Sequence, residues 1–314
     1  MASIESVSGP LDPDQLGLTL AHEHLRISSE TIREQYPHLY DDEAELEAAL
    51  TEVRRAQGHG VKTIVDPCCM DIGRDVRLAQ RVVDETGIQL IMCTGIYGVH
   101  YRYLPHHFQT RDVDYLVDAF VHDIEEGIQG TEVKAAFLKC AVDEPGITDD
   151  VERVLRAASG ASKRTGRPIM VHTHPATRRG LEAMDLFEEE GIDPSLVVVA
   201  HTGDTDDLDY IEELLERGPF IGMDRYGLDI ILPTEQRNAT VIALAERGHA
   251  ERMMLSQDAC GGFDWFPEEM RSMVPNWHFG YIFEEVLPAL REGGVTDEQI
   301  TTMMEENPAR WLAA

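Results

Sequence analysis

The sequence predicts an α/β fold of the (β/α)8 TIM-barrel type, and three observations carry that prediction. Short apolar runs rich in Val, Ile and Met alternate with amphipathic stretches along the chain, the pattern of a buried parallel sheet covered by helices. Several amphipathic stretches close on Gly just before the next apolar run (Gly60, Gly87, Gly166, Gly218), as a left-handed helix C-cap requires. A doubly wound sheet shares the alternation, but no GxGxxG, P-loop or GxSxG elbow follows any apolar run, so nothing marks a nucleotide-binding or nucleophile turn.

In chain order the first strand is GLTLAHEHL, followed by the helical pattern EAELEAALTEVRRAQGHG. VKTIVDP and IQLIMCTG enclose the helix RDVRLAQRVVDETG. VDYLVDAFVHDIEEGIQG leads to VKAAFLKCA, and DDVERVLRAASGASKRTG to RPIMVHTH. TRRGLEAMDLFEEEG precedes LVVVAHTG, DLDYIEELLERG precedes GPFIGMD, and ERMMLSQD is the eighth strand. A length of 314 residues suits two domains or one large barrel. No linker or low-complexity stretch divides the chain, so residues 1–314 read as a single domain.

With 27 Lys and Arg against 58 Asp and Glu the net charge is −31, which argues against partners with phosphate backbones or anionic membrane surfaces. The acids are spread along a chain that is 43% apolar, so they describe a solubilising surface and not a disordered tail. The N-terminus lacks a basic and then apolar leader, and no run of apolar residues is long enough to span a bilayer. The expected location is the cytoplasm. The five cysteines include no CxxC pair and are expected to be reduced and mostly core.

In a barrel the C-terminal strand ends carry the active site. Here the first strand ends in His22-Glu23-His24, the fourth in Lys139, the fifth in His172, the sixth in His201 and the eighth in Asp258. A spacing of two puts His22 and His24 on one face of a strand, able to grip one ion. Any one of these residues could be a hydrogen-bonded rim residue or a cap, but together they describe a site for two divalent metals. Lys139 follows the apolar AAFL in a chain with four lysines; a neutral amine there could add carbon dioxide and become a carbamate able to bridge both ions.

These motifs, GLTLAHEHL, AFLKCA, IMVHTH, VVVAHTGD, GMDRYGLD and LSQDAC in order, resemble the phosphotriesterase-like members of the amidohydrolase superfamily over essentially the whole chain. The resemblance implies that His22, His24 and Asp258 hold the more buried metal and His172 and His201 the more exposed one. Carboxylated Lys139 and a hydroxide would bridge them. It implies metal-assisted hydrolysis with two cations about 3.5–4 Å apart, Asp258 acting also as proton shuttle, and a homodimer. His174, His38, His106, His107 and His278 are expected at the rim or surface. Zinc, iron, cobalt and manganese all suit such a donor set.

Tyr97 after the third strand and Arg225 after the seventh resemble the tyrosine and arginine of the family's lactonase branch. The segment 259–278, with Cys260, Phe263, Trp265, Phe266 and Trp277, is expected to be a long apolar loop suited to an acyl chain, and Trp277 to be exposed enough to meet a partner. The implied activity is opening of N-acyl-homoserine lactones or other alkyl-substituted lactones, with slower hydrolysis of organophosphate triesters. A dedicated phosphotriesterase, a carboxylesterase and a non-catalytic metal-binding scaffold are the alternatives.

Overall fold

The computed structural model describes residues 3–98 and 104–314. Eight parallel strands form one sheet in strictly sequential order among the described residues: β1 (Thr19–Leu20), β2 (Thr63–Asp66), β3 (Gln89–Gly95), β4 (Phe137–Val142), β5 (Ile169–Thr173), β6 (Val197–Ala200), β7 (Phe220–Met223) and β8 (Met253–Leu255). The helices α1 (Asp42–Gly58), α2 (Val76–Thr86), α3 (Val113–Glu125), α4 (Asp149–Thr165), α5 (Arg179–Glu189), α6 (Leu208–Arg217) and α7 (Thr234–Glu246) lie between them. Side-chain caps explain why five helices start where they do: Asp41, Asp75, Asp112, Thr148 and Asp207 accept from first-turn backbone N–H groups. Gly87, Gly166 and Gly218 end α2, α4 and α6 in the left-handed conformation, whereas Gly60 lies two residues past the end of α1.

Strand periodicity sorts the core into two layers. Ile64, Leu90, Leu138, Val171, Val199 and Ile221 pack outward against the helices, while Val65, Ile91, Phe137, Met170, Val198 and Phe220 fill the barrel. Trp311, from the helix Asn307–Leu312, joins the inner layer, with its ring 5.2 Å from Phe137 and its Nε1 donating to Leu196 O. Lys139 and His172 continue the inward register of Phe137 and Met170, two residues further on, where the layers give way to a cavity.

Glu23 joins the last strand to the first. Because it alternates with the two histidines, its carboxylate points away from them and accepts from Gln257 N, Ala259 N, Ser256 Oγ and Gln257 Nε2. Beyond it, His24–Ile27 pairs in parallel with Cys260–Phe263. The segment 259–278 is therefore not one loop: it begins as a strand, and Glu268–Arg271 forms a helical turn. Trp277 is also not an outward contact; its ring packs 5.7 Å from Phe263 and its Nε1 donates to Gln257 O. All five cysteines are buried and free, and no helix among the described residues is long and apolar enough to cross a membrane.

Candidate active site

His22, His24 and Asp258 converge just past the C-terminal ends of β1 and β8, where Asp258 N donates to His22 O, with one ligand atom of each within 4.8 Å of the others. His22 Nε2 lies 3.2 Å and His24 Nε2 2.9 Å from Asp258 Oδ1. From β5 and β6, His172 and His201 meet edge-on with ring centroids 4.5 Å apart, and His201 is 5.0 Å from His22. Lys139 enters from β4 only 1% exposed, and among the described residues it has no hydrogen-bond or ion-pair partner. His172 Nδ1 is likewise buried and without a hydrogen-bond partner among the described residues. Both His201 and Asp258 adopt left-handed backbone conformations, φ +66° and +51°, which cost a non-glycine residue energy and cluster where function requires them.

The electrostatics suit a cation. Burial lowers His172 to about 4; burial and then Arg225 hold His201 well below its ordinary value, and burial and then Lys139 lower His22. These three rings are neutral at pH 7 with a lone pair to offer. Burial also opposes protonation of His24, but Asp258 and Asp66 push it up to about 9. For Asp258 burial favours the neutral acid, but the charged Arg225 guanidinium and the hydrogen bond from protonated His24 outweigh it, holding the carboxyl well below the usual range. A buried carboxylate, four imidazoles and a buried amine form a donor set that divalent cations fit.

Surrounding residues orient this set. His24 Nδ1 lies 3.0 Å from Cys68 Sγ, which donates to Arg26 O. Arg225 Nε donates to Asp258 Oδ2 at 2.8 Å and its Nη1 to Asp204 Oδ2 at 2.9 Å, while Arg237 holds the other oxygen of Asp204. His22 and His201 both turn Nδ1 toward Asp224. Asp66, Cys68, Asp204 and Asp224 are not among the site residues expected from the sequence; Asp224, near enough in the chain to pair with Arg225, instead holds His22 and His201, while Arg225 pairs with Asp258 and Asp204. Asp66 and Asp224 did carry a signal, since each closes an apolar run as His172 and Asp258 do.

The six ligand candidates line a single cavity of about 570 Å³, together with Tyr97, Arg225, Phe263 and Trp265. Tyr97 stands edge-on to His172 at 5.0 Å and 6.2 Å from Trp265, which contacts Phe263 at 5.7 Å. The Asp71 carboxylate accepts from Tyr97 N and Gly98 N and so fixes the start of that loop. Ile230, Ile231, Phe266 and Met273 are exposed around the mouth. Cys260 is not in the lining; it is buried opposite His24 in the two-stranded ladder, where burial pushes its thiol up. His174 stands outside the cluster on Thr177, and the short helix that carries His106 and His107 buries neither.

Over residues 2–312 the sequence matches the phosphotriesterase family. It is 46% identical over 306 residues to an aryldialkylphosphatase of Saccharolobus solfataricus, covering 96% of this chain and 97% of that one. To a phosphotriesterase homology protein of Mycobacterium tuberculosis it is 44% identical over 317 residues, covering 99% and 97%. The solved structure of the phosphotriesterase from Mycobacterium tuberculosis aligns with a TM-score of 0.95 at 43% identity, over 99% of this chain and 98% of that one. Sequence and architecture agree that this chain belongs to the phosphotriesterase family.

Proposed function

We propose that the protein is a binuclear metal-dependent lactonase that opens N-acyl-homoserine lactones and other alkyl-substituted lactones, with weaker activity on phosphotriesters. The observation that carries the reading is the meeting of Tyr97 and Arg225 with the histidine and Asp258 cluster at the base of an aromatic-walled cavity. His22, His24 and Asp258 would hold one cation, His172 and His201 the other, and Lys139 as a carbamate would join them. When bound, such a pair acidifies a shared water and polarises a carbonyl or phosphoryl oxygen.

The chain's own groups do the rest. Phe263, Trp265 and Trp277 take the acyl tail out of water, and Tyr97 orients the lactone oxygen. Water adds to the carbonyl carbon, the ring C–O bond breaks, and the leaving oxygen takes a proton by way of Asp258, giving a hydroxy acid. Held well below the ordinary carboxylate range, Asp258 keeps a proton briefly and passes it on. Arg225 stays charged throughout and fixes the orientation of the carboxylate.

The name of the Saccharolobus relative favours a second reading, a dedicated aryldialkylphosphatase. The test is the ratio of kcat/KM for a long-chain N-acyl-homoserine lactone, a simple alkyl lactone and paraoxon on one metal-quantified preparation. Lactone values far above paraoxon at two metals per chain are expected; paraoxon dominance establishes the second reading. We further propose a cytoplasmic homodimer, for which light scattering should give twice the 35.2 kDa chain mass.

A further inference from the structure

Asp224, just past β7, is a buried carboxylate with a neighbour on each side. Its Oδ2 accepts from His22 Nδ1 at 2.9 Å. Its Oδ1 accepts from His201 Nδ1 at 3.0 Å and from the His201 backbone N–H at 2.8 Å. The fold leaves room for it: a Cβ on Gly222 would lie 2.3 Å from Asp224 Oδ2 and 3.1 Å from Ala200 Cα, so any larger residue there would displace the carboxylate. An ionised carboxylate only accepts, so both Nδ1 atoms must carry hydrogen and both Nε2 atoms must keep their lone pairs. The two rings come from β1 and β6, and on the reading above they serve different cations.

We propose that Asp224 is the positioning residue that sets the tautomer of one histidine in each half of the centre, so that a single carboxylate couples the two cation sites. The inference rests on the binuclear reading. It yields an unequal outcome for Asp224→Asn, an isosteric change. A carboxamide offers one accepting oxygen and one donating nitrogen. The oxygen must stay toward His201, where two donors meet and the backbone N–H cannot reverse. The amide nitrogen then faces His22, whose Nδ1 becomes the acceptor and whose hydrogen moves to Nε2. His22 loses the lone pair it would give to a cation, while His201 keeps its own.

The experiment loads native protein and Asp224→Asn with Mn(II), counts metal per chain by mass spectrometry, and records electron paramagnetic resonance spectra. Native protein should hold two ions with the multiline spectrum of a coupled pair. The variant should hold one, with the six-line spectrum of an isolated ion. A folded variant that keeps two coupled ions, or keeps none, overturns the proposal. Native protein that takes only one ion overturns the binuclear reading and the coupling with it. Nitrogen-15 spectra of the histidine rings in zinc-loaded native protein test the same point without a variant: Nδ1–H is expected on both His22 and His201, and Nε2–H on either overturns the proposal.

Discussion

Arg225 Nε donates to Asp258 Oδ2 at 2.8 Å, while the other oxygen of the same carboxylate faces His22 and His24. One carboxylate thus meets a permanent cation on one side and the candidate ligands on the other. Asp204 lies beyond Arg225 and is itself held by Arg237, so the guanidinium has little freedom to swing away.

Replacing Arg225 with Met removes one of the groups that depress Asp258. The acid limb of the kcat/KM profile should move to higher pH, by about one unit, and kcat should fall roughly 10- to 100-fold. An acid limb that stays in place would separate Arg225 from the ionisation of Asp258.

Lys139 is buried among the ligand candidates without a partner among the described residues. Lys139→Ala should lose most of its metal and activity, and a short carboxylic acid should restore part of both. Unchanged metal content in the variant contradicts a bridging role.

Tyr97 and Asp71 form one device, because the Asp71 carboxylate holds the backbone N–H groups of Tyr97 and Gly98. Tyr97→Phe should reduce lactone turnover about tenfold more than paraoxon turnover, and Asp71→Ala should shift the ratio in the same direction. Equal losses on both substrates remove the reason for placing the chain in the lactonase branch.

Metal removal should create a pH dependence that metal suppresses. In the metal-free fold His24 is pushed up to about 9 from its ordinary 6.5. A base raised on folding contributes its stability fully below 6.5 and loses it as pH rises through 9, roughly 3 kcal/mol in all. The Tm of metal-free protein should therefore drop by roughly 5 °C between pH 7 and pH 10, whereas loaded protein, in which His24 as a proposed ligand would have given up its proton, should lack that drop. Matching Tm profiles for the two forms would show that His24 carries no proton in the metal-free state.

The sequence by itself determined the barrel and the residue types at its strand ends. Alternation with a period of two places Lys139 and His172 on the inward face by the same rule that buries Phe137 and Met170, and an apolar run that stops at a histidine or aspartate is visible in the sequence alone. Tertiary structure decided which acid serves which ring. Asp224 and His22 are 202 residues apart, Glu23 joins two strands from opposite ends of the chain, and Trp277 turns inward onto Phe263. Local periodicity records which face a residue occupies. A hydrogen-bond partner is chosen only when the closing barrel brings distant strand ends within 3 Å of each other, which is about the reach of a hydrogen bond.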